Sequence, residues 1–188
     1  TLLTVPLDIA EEEINKAPAL DLHGVVGLPW QFHARVRALA QYVTNEFRFG
    51  GGWSHHIGPF GISVEDESSY WFGSMPVDGF DTEAYGWMNY PSFSIGYNAG
   101  GVLLTAKVEA VLLLDLRSYV GENEVGSDKN VFGGGALTLV MEQPFWKKTH
   151  VTLGARLALT QVHPQTWFAF SGVKRKLLYS ELIFGVIL

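Results

Sequence analysis

The chain has 188 residues, of which 47% are hydrophobic and 17% charged, with a formal net charge of −6, 21 glycines and no cysteine. That length is most simply one domain; the missing cysteine excludes disulfides and thiolate metal sites, and the acidic balance argues against nucleic acid as a partner. Mean hydropathy is positive at +0.13, yet the densest apolar run, residues 110–114, stops at Asp115, far short of the ~20 residues a spanning helix requires. A soluble β core or a closed barrel that crosses a bilayer with strands remains.

Residues 1–17 carry the acidic run Glu11-Glu12-Glu13 and read as an extension preceding a barrel over 18–188. From residue 19 onward a period of two predicts eight strands. The first, 19–28, turns Leu20, Leu22 and Val26 one way and Asp21 and His23 the other. The second, 31–43, sets Phe32, Ala34, Val36, Ala38, Ala40 and Tyr42 against His33, Arg35, Arg37 and Gln41. The third, 46–58, alternates Phe47, Phe49 and Trp53 with Glu46, Arg48, Ser54 and His56. Residues 59–90 read as a long loop. The fourth strand, 91–100, alternates Phe93, Ile95 and Tyr97 with Ser92, Ser94 and Asn98. The fifth, 104–120, carries Lys107, Glu109, Asp115 and Arg117 on one parity and Leu104, Ala106, Val108, Ala110, Leu112, Leu114 and Leu116 on the other. A polar loop is predicted at 121–130. The sixth strand, 131–142, opposes Leu137, Leu139 and Met141 to Thr138 and Glu142. The seventh, 149–162, opposes Val151, Leu153, Ala155, Leu157 and Leu159 to His150, Thr152, Arg156 and Thr160. The last, 177–188, turns Leu182, Phe184, Val186 and Leu188 outward and Glu181 inward.

One face of each segment is apolar and the other holds the charges, which predicts an all-β, transmembrane, antiparallel up-and-down barrel with a polar interior. The predicted interior holds Asp21, Arg35, Arg37, Glu46, Arg48, Lys107, Glu109, Asp115, Arg117, Glu142, Arg156 and Glu181. A lipid-facing Arg or Lys costs ~2–4 kcal/mol at mid-bilayer, so their exclusion from the outer face has a physical cause. An eight-stranded barrel is just wide enough for side chains to fill it. Balanced charges inside it should pair, which predicts a plugged cylinder with a ladder of ion pairs. Gly50, Gly52, Gly96 and Gly134 would make room for the long arginines. Short turns are expected near 43–45, 100–103 and 143–148 on one side, with 28–31, 59–90, 121–130 and 163–176 on the other. Tyr42, Phe47, Tyr97, Phe145 and Trp146 would gird the first edge, and Trp30, Phe32, Trp53 and Trp167 the second.

In this pattern the chain resembles the small eight-stranded outer-membrane barrels of Gram-negative bacteria, the class containing the OmpA transmembrane domain, OmpX and OmpW. The likeness covers 19–188. It is sharpest in the last strand, where Tyr179, Leu182, Phe184, Val186 and Leu188 look like the terminal signal read by the barrel-assembly machinery; that signal usually ends in Phe or Trp. The resemblance implies an outer-membrane protein whose precursor carries a secretory signal, with residues 1–17 periplasmic or lumenal. It implies outer-membrane lipid and lipopolysaccharide as surroundings, and protein partners in an envelope complex. Passage of small apolar solutes, as in OmpW, is the alternative, although twelve interior charges make a poor apolar lining.

Lipid A deacylases and palmitoyltransferases share this shape and use Ser and His. Ser54 and His56 share a face here, but the deacylases' His-x-Ser order is absent, so no catalytic residue is expected. His55-His56 point to opposite faces of a strand and make a poor metal site. Glu65-Asp66-Glu67 with Asp78, Asp81 and Glu83 reads as a solvated acidic loop rather than a Ca²⁺ site; no metal or cofactor is expected. Lys174-Arg175-Lys176 lies where lipopolysaccharide phosphates would sit, or is a solvated turn. The stretch 66–90 is unusually aromatic, with Tyr70, Trp71, Phe72, Phe80, Tyr85, Trp87 and Tyr90. Either it folds over the barrel mouth on its own core, or it presents aromatic anchors to a partner.

Overall fold

The computed structural model describes residues 2–4, 16–75, 81–146, 149–164, 167 and 176–187. Within them the protein is all-β: β1 (Leu2–Thr4), β2 (Lys16–Pro18), β3 (Leu20–Gly27), β4 (Phe32–Ala40), β5 (Thr44–Ile57), β6 (Phe60–Met75), β7 (Thr82–Asn89), β8 (Ser92–Ala99), β9 (Val102–Val120), β10 (Asn123–Trp146), β11 (Thr149–Thr160) and β12 (Leu177–Ile187), with one 3-10 turn at Pro29–Gln31. All ladders are antiparallel and join one sheet in the order β2-β1-β12-β11-β10-β9-β7-β6-β5-β4-β3. The path starts at β2 and ends at β3, and only Ala19 separates those two in the chain. The sheet therefore returns to its own beginning as a barrel.

β7 and β8 are two halves of one strand. Both pair with β6 in a continuous register, Ser68↔Asn89 and Glu65↔Ser92, and both pair with β9 on the other side. Tyr90-Pro91 interrupts them because proline cannot donate to a ladder. Gly100-Gly101, both at positive φ, close the two-residue turn from β8 to β9, a conformation that favours glycine at both positions.

Several sequence expectations are corrected here. Residues 59–90 are not a loop: β6 and β7 occupy most of them, so the strands outnumber the predicted eight. Residues 121–130 are also mostly strand, as the start of β10. Residues 2–4 and 16–18 belong to the sheet rather than to an extension. The additional strand changes which connections share an end. Those joining β3 to β4, β5 to β6, β8 to β9 and β10 to β11 lie together, at what we call the lower end. Those joining β4 to β5, β6 to β7, β9 to β10 and β11 to β12 lie at the upper end. Glu11-Glu12-Glu13, Asp78, Phe80 and Lys174-Arg175 lie outside the described residues.

Side-chain direction follows the predicted parity over most of the wall. Leu22, Val26, Phe32, Val36, Phe47, Phe49, Val108, Leu139, Leu157, Leu182, Phe184 and Val186 are exposed on the outer face, while Glu46, Arg48, Glu109 and Glu181 are buried inside. One bulge breaks the rule. Met88 pairs with Leu113 but Trp87 pairs with Asp115, leaving Leu114 extra on β9. Beyond that residue Asp115 and Arg117 share the outer side with Trp87 and Tyr85, contrary to their predicted interior place. They pair with each other at 3.6 Å, and Lys129 approaches Asp115 at 3.8 Å.

The aromatic edges also regroup. Trp30, Phe32, Trp53, Phe60, Tyr97 and Phe145 belong to the lower end, and Tyr42, Phe47, Tyr70, Phe72 and Trp87 lie toward the upper one. Trp167 joins neither; it is buried inside.

Close backbone approach explains Gly50. A Cβ there would collide with the Asp66 carbonyl oxygen and come within 2.7 Å of Glu67 Cα. Gly50→Ala is expected to lower stability by about 1–3 kcal/mol, the usual penalty for overpacking. Gly27→Ala, where a Cβ meets nothing within 4 Å, should be close to neutral. Urea unfolding of both variants, followed by tryptophan fluorescence, tests the contrast.

Candidate functional site

The interior is layered. Its middle is ionic because inward parity on β3, β4, β5, β6, β9, β11 and β12 delivers charged side chains to the same level. Arg37 grips Asp21 through two bonds, Nε to Oδ1 at 2.8 Å and Nη2 to Oδ2 at 2.6 Å. Arg48 sits directly opposite Arg37 across the β4–β5 ladder, a repulsive placement. It turns away to its own carboxylate, donating from Nε to Glu46 Oε1 at 2.8 Å and from Nη2 to Oε2 at 3.2 Å. Its guanidinium also lies 3.8 Å over the Tyr90 ring. The Ser69 and Tyr90 hydroxyls both donate to the same Glu46 oxygen, at 2.7 Å and 3.3 Å.

From there the network crosses the cylinder. Arg156 on β11 is a hinge between two acids, donating to Glu109 on β9 at 2.6 Å and to Glu181 on β12 at 2.7 Å. His163 Nε2 lies 3.1 Å from the same Glu181 oxygen. Lys107 bridges Glu109 at 3.6 Å and Glu65 at 3.3 Å. Glu65 further accepts from Arg35 at 2.9 Å and meets His33 at 3.3 Å, while Glu67 stands 3.5 Å from Arg35. The space left among Arg37, Glu46, Arg48, Tyr90, Arg156 and His163 is about 10 Å³, room for at most one water.

Above the ions lies an apolar cap. Trp71, Ala84, Met88, Tyr90, Val111, Leu113 and Trp167 form one buried cluster. The chain after β11 dips into the barrel, burying His163 and Trp167, and the Trp167 indole N–H donates to Thr44 Oγ1 at 2.8 Å. Gly73 lies flat under that indole; a Cβ there would reach Trp167 Cζ2 at 2.8 Å. Below the ions the interior opens into a cavity of about 650 Å³, lined by His56, Gly61, Asn98, Leu103, Glu142, His150 and Ile187 among others.

The structure thus brings together Asp21, Arg35, Arg37, Glu46, Arg48, Lys107, Glu109, Arg156 and Glu181. It leaves Glu142 at the lower cavity and sets Asp115 and Arg117 on the outer face. The aromatic residues assigned to a partner-binding loop are divided by strand parity instead. Trp71 and Tyr90 are interior core; Tyr70, Phe72, Tyr85 and Trp87 face outward, with Tyr70 and Trp87 rings 5.0 Å apart. Phe80 lies outside the described residues. Ser54 and His56 share the inward parity of β5 near the lower end. Among the described residues no group of three or more His, Cys, Asp or Glu side chains is placed to hold a metal ion.

Sequence reasoning missed Glu65, Glu67 and His163 as members of the network. The signal for the first two was there: inward Glu65, Glu67 and Ser69 alternate with outward Val64, Ser68 and Tyr70. Asp66, a charge on the outward parity, hid it. No family model matches the chain, and no curated protein or solved structure matches it either.

Removing one partner of a buried ion pair strands the other, at about 3–5 kcal/mol. Arg156→Met, which leaves Glu109 and Glu181 without their shared cation, should destabilise the barrel by that amount. Arg117→Met on the outer rim should leave the stability nearly unchanged, since exposed ion pairs are screened by solvent. Equilibrium unfolding in urea distinguishes them.

Proposed function

We propose that the protein is an integral outer-membrane β-barrel with an ion-plugged interior, acting as a structural or binding component of the cell envelope within a larger assembly. The observation that carries this reading is the inversion of sidedness: large apolar side chains coat the outside of the cylinder while its paired ions lie at the centre. A water-soluble fold would lose free energy by exposing Leu22, Val36, Phe49, Val108, Leu157 and Phe184 together, whereas hydrocarbon makes that coat favourable. The barrel resembles the small outer-membrane barrels of Gram-negative bacteria in this arrangement, with a wall of more than eight strands. A wider wall encloses more space, and the inward-folded Trp167 with the Arg–Glu network supports a plugged interior rather than a pore. Lipid and lipopolysaccharide are the surroundings this reading assigns, with proteins of the envelope as partners.

Passage of small apolar solutes would need a route through Glu46, Arg48, Glu109 and Arg156, where about 10 Å³ is free. Lipid A chemistry at Ser54 and His56 lacks a hydrogen bond between the two side chains among the described contacts. A non-enzymatic role follows from this proposal.

The reading predicts that Val108→Arg, on the outer face of β9, reduces folding into phospholipid vesicles by about 2–4 kcal/mol, while Val125→Arg, on the upper projection of β10, changes it by less than about 1 kcal/mol. Equal tolerance of both, or a monodisperse protein without detergent, would refute it. Planar-bilayer recording should give no steady conductance.

A further inference from the structure

Away from the rim group of Asp115 and Arg117, one outward-facing charge among the described residues breaks the apolar coat. Asp66 lies midway along β6, between Gly51 of β5 and the Tyr90-Pro91 break. It is exposed, and its Oδ1 accepts from Asn89 Nδ2 at 2.8 Å; the same amide donates to the Glu67 carbonyl at 3.2 Å. Ser68 is next on the same face, directly opposite Asn89 on one side and Phe49 on the other. Rings frame the three polar residues: Phe49 and Trp87 meet edge to face at 6.5 Å, and Tyr70 and Trp87 at 5.0 Å. Phe93 and Val64 continue the apolar surface below, both about half exposed.

Resting on the membrane reading above, this carboxylate would stand against acyl chains. Ionisable groups in that position are costly and normally meet a polar partner. Inside the barrel Asp21, Glu46, Glu65, Glu67, Glu109 and Glu181 each have one. Within the described chain Asp66 Oδ2, the Asn89 carbonyl oxygen and the Ser68 hydroxyl have none. The patch therefore offers one free donor and two free acceptors within three neighbouring positions. That makes it complementary to itself, which is what a two-fold interface between identical surfaces demands. A cationic partner protein would satisfy Asp66 but leave the Ser68 hydroxyl unmatched.

We propose that the β5–β6–β7 sector is a homodimer interface within the membrane. The Ser68 hydroxyl of one copy donates to Asp66 or Asn89 of the other, and the reciprocal bond forms across the two-fold axis. Phe49, Tyr70 and Trp87 of both copies pack around the pair and exclude lipid. Hydrogen bonds between membrane segments are individually modest, so the aromatic rim carries the packing and the polar centre fixes the orientation.

The chain has no cysteine, so single-cysteine variants report without background. Val64→Cys, outward on β6 two residues from Asp66, and Leu157→Cys, outward on the distant β11, are folded into vesicles and treated with a short bis-maleimide. The vesicles are first floated on a density gradient. Val64→Cys should give a dimer band several times stronger than Leu157→Cys, and dilution into more lipid should not equalise them. Asp66→Ala should raise the dimer dissociation constant about ninefold, two symmetric bonds at about threefold each, measured by energy transfer between labelled copies. Float-up with equal cross-linking at the two sites overturns the dimer and leaves the membrane reading standing. Failure to float overturns both, because Asp66 is then an ordinary solvated carboxylate. Cross-linking that Asp66→Ala leaves unchanged overturns the polar centre of the interface.

Discussion

A charge enclosed by a ring of strands has to meet its opposite inside that ring, and much of this structure follows from the way Arg156 does so. Its guanidinium reaches Glu109 two strands away and Glu181 on the neighbouring strand. The Glu109 contact crosses β10, and Ala136, which lies opposite both Glu109 and Ala158, keeps the buried wall there slim. Arg48 and Arg37 face one another across a ladder, and only their separate acids, Glu46 and Asp21, make that placement tolerable. Gly50 and Gly52 come where a Cβ on β5 would strike β6, at Gly52 within 2.7 Å of Glu65 Cγ. Partial networks of this kind are worse than none, because a stranded ion is more costly than an apolar side chain. The wall's register and the pairing of its interior charges are therefore one problem rather than two.

The outer surface follows a different rule. Most of it keeps the strand period with apolar residues, so the exceptions carry information. The rim group Asp115, Arg117 and Lys129 sits beyond the bulge, near the upper end. Tyr85 and Tyr119 stack there at 5.9 Å between centroids. Asp66 is not at a rim. Its polar neighbourhood lies in the middle of a strand, surrounded by rings, and that position is what separates an anchoring surface from an edge.

How far the sequence spoke depended on whether a segment kept its period. Along 20–27, 32–40, 44–49 and 149–160 the inward and outward sets read from the alternation agree with the burial of Glu46 and Arg48, the partial burial of Asp21 and Arg156, and the exposure of Leu22, Val36, Phe47 and Leu157. The period fails to speak where something physical interferes. Leu114 is one residue too many on β9, and everything after it changes face, so Asp115 and Arg117 were assigned to the wrong side by a rule that held up to Leu113. Asp66 puts a charge on the apolar parity, which made a strand resemble an acidic loop and concealed Glu65 and Glu67. Pro91 interrupts a strand that the sheet nevertheless carries through on both neighbours. Trp167 comes from a connection, and no periodicity tells whether a connection folds in or out; its contact with Thr44, far away in sequence, is a tertiary fact.

The stacking of layers inside the cylinder gives it a direction. Seen from the lower mouth it is a blind flask, wide enough at about 650 Å³ to admit a small molecule and stoppered by ions and then by indole rings. Above the ions, among the described residues, Trp71 and Trp167 fill the section instead. A small molecule entering from below would meet His56, Glu142 and His150 first. The two mouths are thus chemically unlike, one a polar vestibule and the other packed with indole.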